Sequence, residues 1–291
     1  MVKKFYVILG LFLLPVAYAY TIDGDPSDWA PNLLTGDWSI NDTWLPSGSY
    51  VNFMVEDNRD PTYSCNSGYC ATGVHIYGEG STYRACKEPI VNRHVQPAGG
   101  EQYDIEAIYF DDDWWNAYFL VITSMPEDGV PYGNRHLMPG DLAIDLDKDP
   151  NTGEYGYEYG IKLFGNEKGI VCKNPDWELP DQDIGLRDNA PSQFDPTTCQ
   201  VTGNAEVVWK ELGEDDNGKK NYAIEVKVSK LALGKPPILS FNVHSAVSCG
   251  NDAIELKDPD FDYPSVPEFP FPAIAMFFTW IIFILLRRRN F

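Results

Sequence analysis

The chain is poor in basic residues, poor in histidine and without any long stretch of helical periodicity. It has 22 Lys and Arg against 43 Asp and Glu. Lys3, Lys4 and Arg287 to Arg289 lie in the terminal segments, so 17 basic residues face all 43 acidic ones in the stretch between. A surface of that sign repels nucleic acid and anionic lipid, which excludes a DNA- or RNA-binding role, and it suits divalent cations. No G-x-S-x-G elbow, H-E-x-x-H pair or glycine-rich phosphate loop before a helix is present, and His75, His94, His136 and His244 are dispersed. Pairs of carboxylates able to act as a glycosidase dyad arise by chance among 43. The chain therefore reads as a non-enzyme, with a surface hydrolase as the thinnest alternative. There is also no C-x-x-C pair or Cys/His knuckle, which argues against structural zinc.

What is present is the composition of an all-β protein: 17 Tyr, 15 Phe, 8 Trp, 24 Gly and 22 Pro. Eight segments alternate or run apolar at strand length: 50–55, 103–110, 117–123, 141–146, 157–163, 205–209, 221–228 and 238–247. Asp/Asn/Gly turns separate them, as at Asp111-Asp112-Asp113, Asn151-Thr152-Gly153 and Asp216-Asn217-Gly218. This spacing predicts an antiparallel β-sandwich of jelly-roll type. One short helix is expected at Ser229 to Leu233, capped by Ser229 and ended by Gly234. Six cysteines, Cys65, Cys70, Cys86, Cys172, Cys199 and Cys249, are an even number, and disulfides are the default in an exported chain. Clustering groups Cys65, Cys70 and Cys86 in a disulfide-rich insertion over 58–100. It also suggests that Cys172 and Cys199 close the Pro/Asp-rich loop 173–196, although sequence leaves fifteen pairings open.

The two ends carry location signals. Residues 1–19 read as a signal peptide: Lys3 and Lys4, an apolar stretch from Phe5 to Leu14, and Ala17-Tyr18-Ala19 at a cleavage site. The extracellular domain is then expected over 20–257, with a Pro-rich linker at 258–270. A membrane segment and basic tail follow at 271–291. The apolar run Phe271 to Leu286 reaches about 24 Å as a helix, short of a hydrocarbon core of about 30 Å. Asn41-Asp42-Thr43 is a glycosylation sequon.

Several phrases resemble known families. TIDGDPSDW (Thr21 to Trp29) resembles the first strand of family 9 carbohydrate-binding and DOMON-like modules. In that arrangement Ile22 and Trp29 face the core while Asp23-Gly24-Asp25 turns the chain. YDIEAIYFDDD, GDLAIDLDKDPNTGEYGYEYGIKL and HSAVSCGNDAIEL, in that order, resemble the β-sandwich ectodomain of prokaryotic surface proteins with PEP-CTERM or related sorting tails. Pro267-Glu268-Phe269-Pro270, followed by the apolar run and arginines, resembles the archaeal PEF-CTERM signal. That resemblance implies processing by a membrane-embedded archaeosortase, loss of the tail, attachment of a lipid and residence on the outside of the cell membrane. A plain C-terminal transmembrane helix is the alternative.

The strongest chemical motif is acidic. Asp147, Asp149, Asn151 and Glu158 fall at positions 1, 3, 5 and 12 of a calcium-loop spacing, and Asp145 precedes them. Thr152 stands where the loop glycine belongs and the flanks read as strands, so the choice is between a Ca2+-binding hairpin loop and an ordinary polar turn. Asp104 with Glu106, and Asp111 to Asp113, are weaker candidates for a second site. Asp141 shares a face with Asp145, and such buried carboxylates need a cation or a basic partner. Trp114, Trp115 and Trp177 lie in expected loops, where modules that bind surface polysaccharide place stacking rings; core packing is the alternative. The role expected is that of a cell-surface component with an envelope or adhesion function. A carbohydrate-binding module is the second reading.

Overall fold

The computed structural model describes residues 20–31, 44–56, 74–87, 101–180, 191–214, 220–234, 240–250 and 252–261. Their strands are β1 (Asn52–Glu56), β2 (Val74–Glu79), β3 (Thr82–Lys87), β4 (Ile105–Asp112), β5 (Asn116–Thr123), β6 (Val130–Tyr132), β7 (Arg135–Leu137), β8 (Leu142–Asp145) and β9 (Tyr159–Ile161). They continue with β10 (Ile170–Lys173), β11 (Trp177–Glu178), β12 (Gln193–Phe194), β13 (Gln200–Asn204), β14 (Glu206–Glu214), β15 (Lys220–Ser229), β16 (Ser240–Ala246) and β17 (Ala253–Asp260). A seven-stranded antiparallel sheet runs β14-β15-β5-β4-β1-β2-β3, and a six-stranded one runs β13-β10-β9-β8-β16-β17. Two small hairpins, β6-β7 and β11-β12, stand apart.

Alternation explains the layers. Ile108, Phe110, Phe119, Val121, Ile224 and Val226 of the first sheet meet Leu142, Ile144, Ile161, Val243 and Ile254 of the second in one core. The outward residues of the same strands are also buried. Phe53, Tyr109, Tyr118, Leu120 and Ile122 pack under Trp29, Ala30 and Trp44 of the N-terminal segment. On the other side Ala143 and Cys172 pack under Trp177 and Phe194 of the β11-β12 hairpin. The molecule is thus a sandwich with an irregular cover on each outer face.

All eight expected strand segments form strands. Two expectations are corrected, and the reading of 58–100 gains two strands. Ser229 to Leu233 is a single turn, with the Ser229 hydroxyl accepting from Leu231 N and Gly234 closing it at φ +75°, too short to be a helix. Part of the 58–100 insertion is sheet: β2 and β3 extend the first sheet beyond β1. The segment read as a linker from 258 is still ordered sheet at its start, because β17 runs to Asp260 and Phe261 is buried against Phe241 with centroids 4.4 Å apart.

Among the described residues no helix is long and apolar enough to cross a membrane. The signal segment, Asn41, Cys65, Cys70, Pro267 to Pro270 and the 271–291 tail lie outside the described residues. Cys172 and Cys199 are joined in a disulfide, with Cα atoms 5.7 Å apart, closing the loop as the clustering suggested. Cys86 lies on β3, and Cys249 is buried in the core.

Candidate metal centre

The loop from β8 to β9 brings Asp145, Asp147 and Glu158 together, each with a carboxylate oxygen within 4.8 Å of the others. Asp145 ends β8, where the sheet fixes it: its Oδ2 accepts from Asn242 Nδ2 (3.1 Å) on the neighbouring β16, and its Oδ1 from Lys148 N (2.6 Å). Glu158 sits just before β9, buried, with Oε2 accepting from Leu146 N at 2.9 Å. Two antiparallel strands therefore deliver the first and last carboxylates, and the turn between supplies Asp147.

Thr152 has an unexpected place in this arrangement. Its Oγ1 lies 2.8 Å from Asp147 Oδ1, 2.6 Å from Glu158 Oε1 and 3.0 Å from Asp149 O. One hydroxyl proton cannot serve three acceptors. Gly153, one position later than the loop pattern asks, takes φ +65° where an added Cβ would meet Tyr157 backbone at 2.5 Å. The shift of glycine thus places the threonine hydroxyl among the carboxylates. Asp149 and Asn151 are not brought in: Asp149 Oδ1 accepts from Asn151 N (3.0 Å) and Nδ2 (2.6 Å), and both are exposed. The nearest lysine in sequence also turns away, since the Lys148 ammonium contacts Ser240 Oγ and Asp258 Oδ1, each at 2.5 Å.

Burial pushes the Glu158 carboxyl up to about 7; hydrogen bonds from Thr152 and Leu146 N oppose the rise and the adjoining Asp147 adds to it. Burial would raise Asp147 too, but bonds from Asp149 N, Glu158 and Thr152 outweigh it and hold this carboxyl below its ordinary value. Asp145 is raised by burial. The Asp147–Glu158 pair accordingly shares a proton near neutrality, and a cation can take that proton's place. A set made only of oxygen donors suits a hard cation.

The other acidic candidates are used structurally. Unbroken alternation would put Asp104 and Glu106 on the face of Ile108 and Phe110, but a bulge between Ile105 and Ala107 brings Ile105 into the core there instead. Asp111 accepts from Tyr20 OH (2.5 Å), Asp112 pairs with Lys230, and Asp113 accepts from Trp115 N (2.6 Å) and Tyr118 OH (2.7 Å). Asp141, on the same outer face as Asp145, has a basic partner instead of a cation: Lys162 Nζ at 2.8 Å.

Trp177 is a correction. It is buried edge-on against Phe194 (5.1 Å) in the outer hairpin and cannot stack on a ligand. Its Pro/Asp-rich surroundings disguised a core residue. Trp114 and Trp115 are exposed at the β4-β5 tip. Open clefts lie elsewhere among the described residues, two of them lined by aromatic and acidic side chains. One of about 620 Å³ lies between Tyr20, Asp28, Tyr50 and Asp111. The other, about 790 Å³, is bordered by Glu127, His136, Trp209, Glu211 and Tyr222. Sequence reasoning missed this last set because its members come from two hairpins far apart in the chain, β6-β7 with its approach and β14-β15. Comparison with family models, curated proteins and solved structures returns no match for this chain.

Proposed function

We propose that this is an exported, non-enzymatic β-sandwich held at the outer face of an archaeal cell membrane, stabilised by Ca2+ at Asp145, Asp147 and Glu158. The observation that carries the location is the Cys172–Cys199 disulfide in a chain that opens with a signal-like segment. Disulfides persist in oxidising, extracytoplasmic settings. The PEFP phrase and arginine-flanked apolar run supply the anchoring part of the reading, with archaeosortase-type processing and a lipid replacing the tail. Calcium is preferred over smaller Mg2+ because Asp147 and Glu158 hold the first and last positions of a calcium-loop spacing and all three donors are carboxylates carried by the protein.

The native mass of the mature protein tests the location. It is expected to lack residues 1–19 and the basic tail and to include a lipid. A mass that still contains Arg289 would overturn the processing. Calcium is tested separately by melting with and without EDTA. An unchanged Tm, equal to that of Asp147→Ala/Glu158→Ala, would remove the cation from the reading.

Carbohydrate binding is the second reading, favoured by the cleft in which Trp209 and Tyr222 lie 6.4 Å apart beside Glu127 and Glu211. Aromatic faces next to carboxylates suit the apolar and hydroxyl surfaces of a sugar. Saturable binding of one surface polysaccharide, lost in Tyr222→Ala, is expected on this reading; a blank glycan array would retire it.

A further inference from the structure

Three large apolar side chains are left exposed at one end of the sandwich: Trp115 (72 %), Leu231 (67 %) and Trp114 (39 %). They come from two separate turns that meet there. Trp114 and Trp115 form the tip between β4 and β5, and Lys230 N, at the head of the next turn, donates to Trp115 O at 2.8 Å. Leu231 follows directly.

The same point is where the described chain leaves the domain. The Lys230 side chain pairs with Asp112 below the tip and lies 5.4 Å from the ring centroid of Phe261. Phe261 in turn packs on Phe110, centroid to centroid 5.4 Å. Beyond it come 262–270, then the apolar run from Phe271 to Leu286 and Arg287 to Arg289. Nine residues extend to at most about 30 Å. The exposed patch is thus tethered, by a short proline-bearing spacer, next to the segment read as entering a membrane.

We propose that this end of the sandwich rests on a lipid bilayer, with Trp114, Trp115 and Leu231 entering its interface. The inference rests on the membrane-anchored reading above and adds an orientation to it. Indole rings prefer the headgroup level, where one edge is apolar and the N–H is wet. The acidic residues at the tip do not oppose contact with a neutral surface: Asp112 is ion-paired, and Asp113 is held by Trp115 N, Asn116 N and Tyr118 OH. A glycan platform fits the tip less well. The two rings meet at 78° with centroids 6.3 Å apart, giving a sugar no common plane, and they lie outside both clefts.

The test uses the unprocessed full chain in phosphatidylcholine vesicles whose acyl chains carry bromine, which quenches nearby indoles. Trp280, inside the apolar run, is an internal monitor of anchoring. Trp280→Phe and Trp114→Phe/Trp115→Phe keep an aromatic ring at each site, and melting confirms that the variants fold. Each variant is expected to lose part of the quenching, with the double variant losing roughly two thirds of it because two of three lipid-facing rings are gone. Quenching lost entirely in Trp280→Phe, and not at all in the double variant, would overturn the proposal while leaving the anchor intact. No quenching in the parent chain would instead remove the anchored reading, and the orientation with it. Tip fluorescence that answers to soluble β-glucan and not to bromolipid would make the tip a sugar platform and also overturn the proposal.

Discussion

The two covers of the sandwich solve one problem in different ways. On the seven-stranded sheet the N-terminal segment is pinned by Glu225, a buried carboxylate on β15. It accepts from Asp23 N (2.9 Å), Gly24 N (2.6 Å) and Trp29 Nε1 (3.0 Å). On the six-stranded sheet the β11-β12 hairpin is pinned by Asp141, which accepts from Leu163 N (3.0 Å), Phe194 N (3.2 Å) and the Lys162 ammonium (2.8 Å). That ammonium also donates to Phe194 O and lies over the rings of Phe164 and Phe194. The first anchor is balanced by neutral N–H dipoles alone, the second by a full opposite charge plus a disulfide around the same loop. Burial raises both carboxyls, Asp141 to about 6. A cover made of large aromatics, Trp29 and Trp44, holds with dipoles; a hairpin of two short strands has less apolar area and is cross-linked.

The largest effect expected from this contrast is at Lys162. Lys162→Met keeps the volume but leaves a buried charge without its partner, which costs about 3–5 kcal/mol. At the usual scaling for a domain of this size, Tm falls by roughly 10 °C. A second change, Asp141→Asn, in that background should recover much of the loss. If Lys162→Met costs less than Glu225→Ala, charge balance is not what separates the two anchors. Next comes Cys172→Ser/Cys199→Ser, which opens a loop with a sequence separation of 27. Loop-closure entropy sets its effect at about 3–4 kcal/mol, read by denaturant unfolding. Glu225→Ala follows at about 2–3 kcal/mol, since charge-assisted bonds are lost and buried donors are stranded. Limited proteolysis should then cut within 20–31 first; cleavage elsewhere would break the assignment of Glu225 as the pin.

The dependence on pH comes last. Glu158 keeps its proton in the fold to about 7, against 4.5 for the ordinary group. Between these values the unfolded chain ionises first, so in EDTA stability falls as pH rises from about 4.5 to about 7 and levels off above. Saturating Ca2+ should flatten that fall, and should raise Tm more at pH 7.5 than at pH 5. Parallel profiles with and without Ca2+ would show that the cluster holds no cation.

Strands such as Asn116–Thr123 and Lys220–Ser229 were legible as apolar runs of strand length, because one face packs in the core and the other under the N-terminal cover. β2 and β3 were hidden by the neighbouring cysteines and glycines, and β17 by ELKDPD, whose polar residues face out along an edge. Of the metal loop, the spacing marked Asp147 and Glu158, and Asp145 entered as a shared-face neighbour. The loop's own folding then turned Asp149 and Asn151 outward and Thr152 inward, a reversal set by Gly153 and invisible to a spacing rule. The Glu225 pin joins residues about 200 positions apart, a distance at which no local pattern operates.

β17 has a mechanical consequence. Among the described residues it is an edge strand, hydrogen-bonded within its sheet to β16, and the chain continues from its end into the tail. If the tail anchors the protein as proposed, a pull on it would arrive at Phe261 and would tend to peel one strand away rather than shear the whole sandwich. The Cys172–Cys199 link is attached at β10, on the far side of the same sheet, and carries none of that load. What resists is local: the Phe110, Phe241 and Phe261 rings, and the Lys148–Asp258 tie from the acidic loop. A cation seated in that loop would act as a fastener at the point where such a tether would tug.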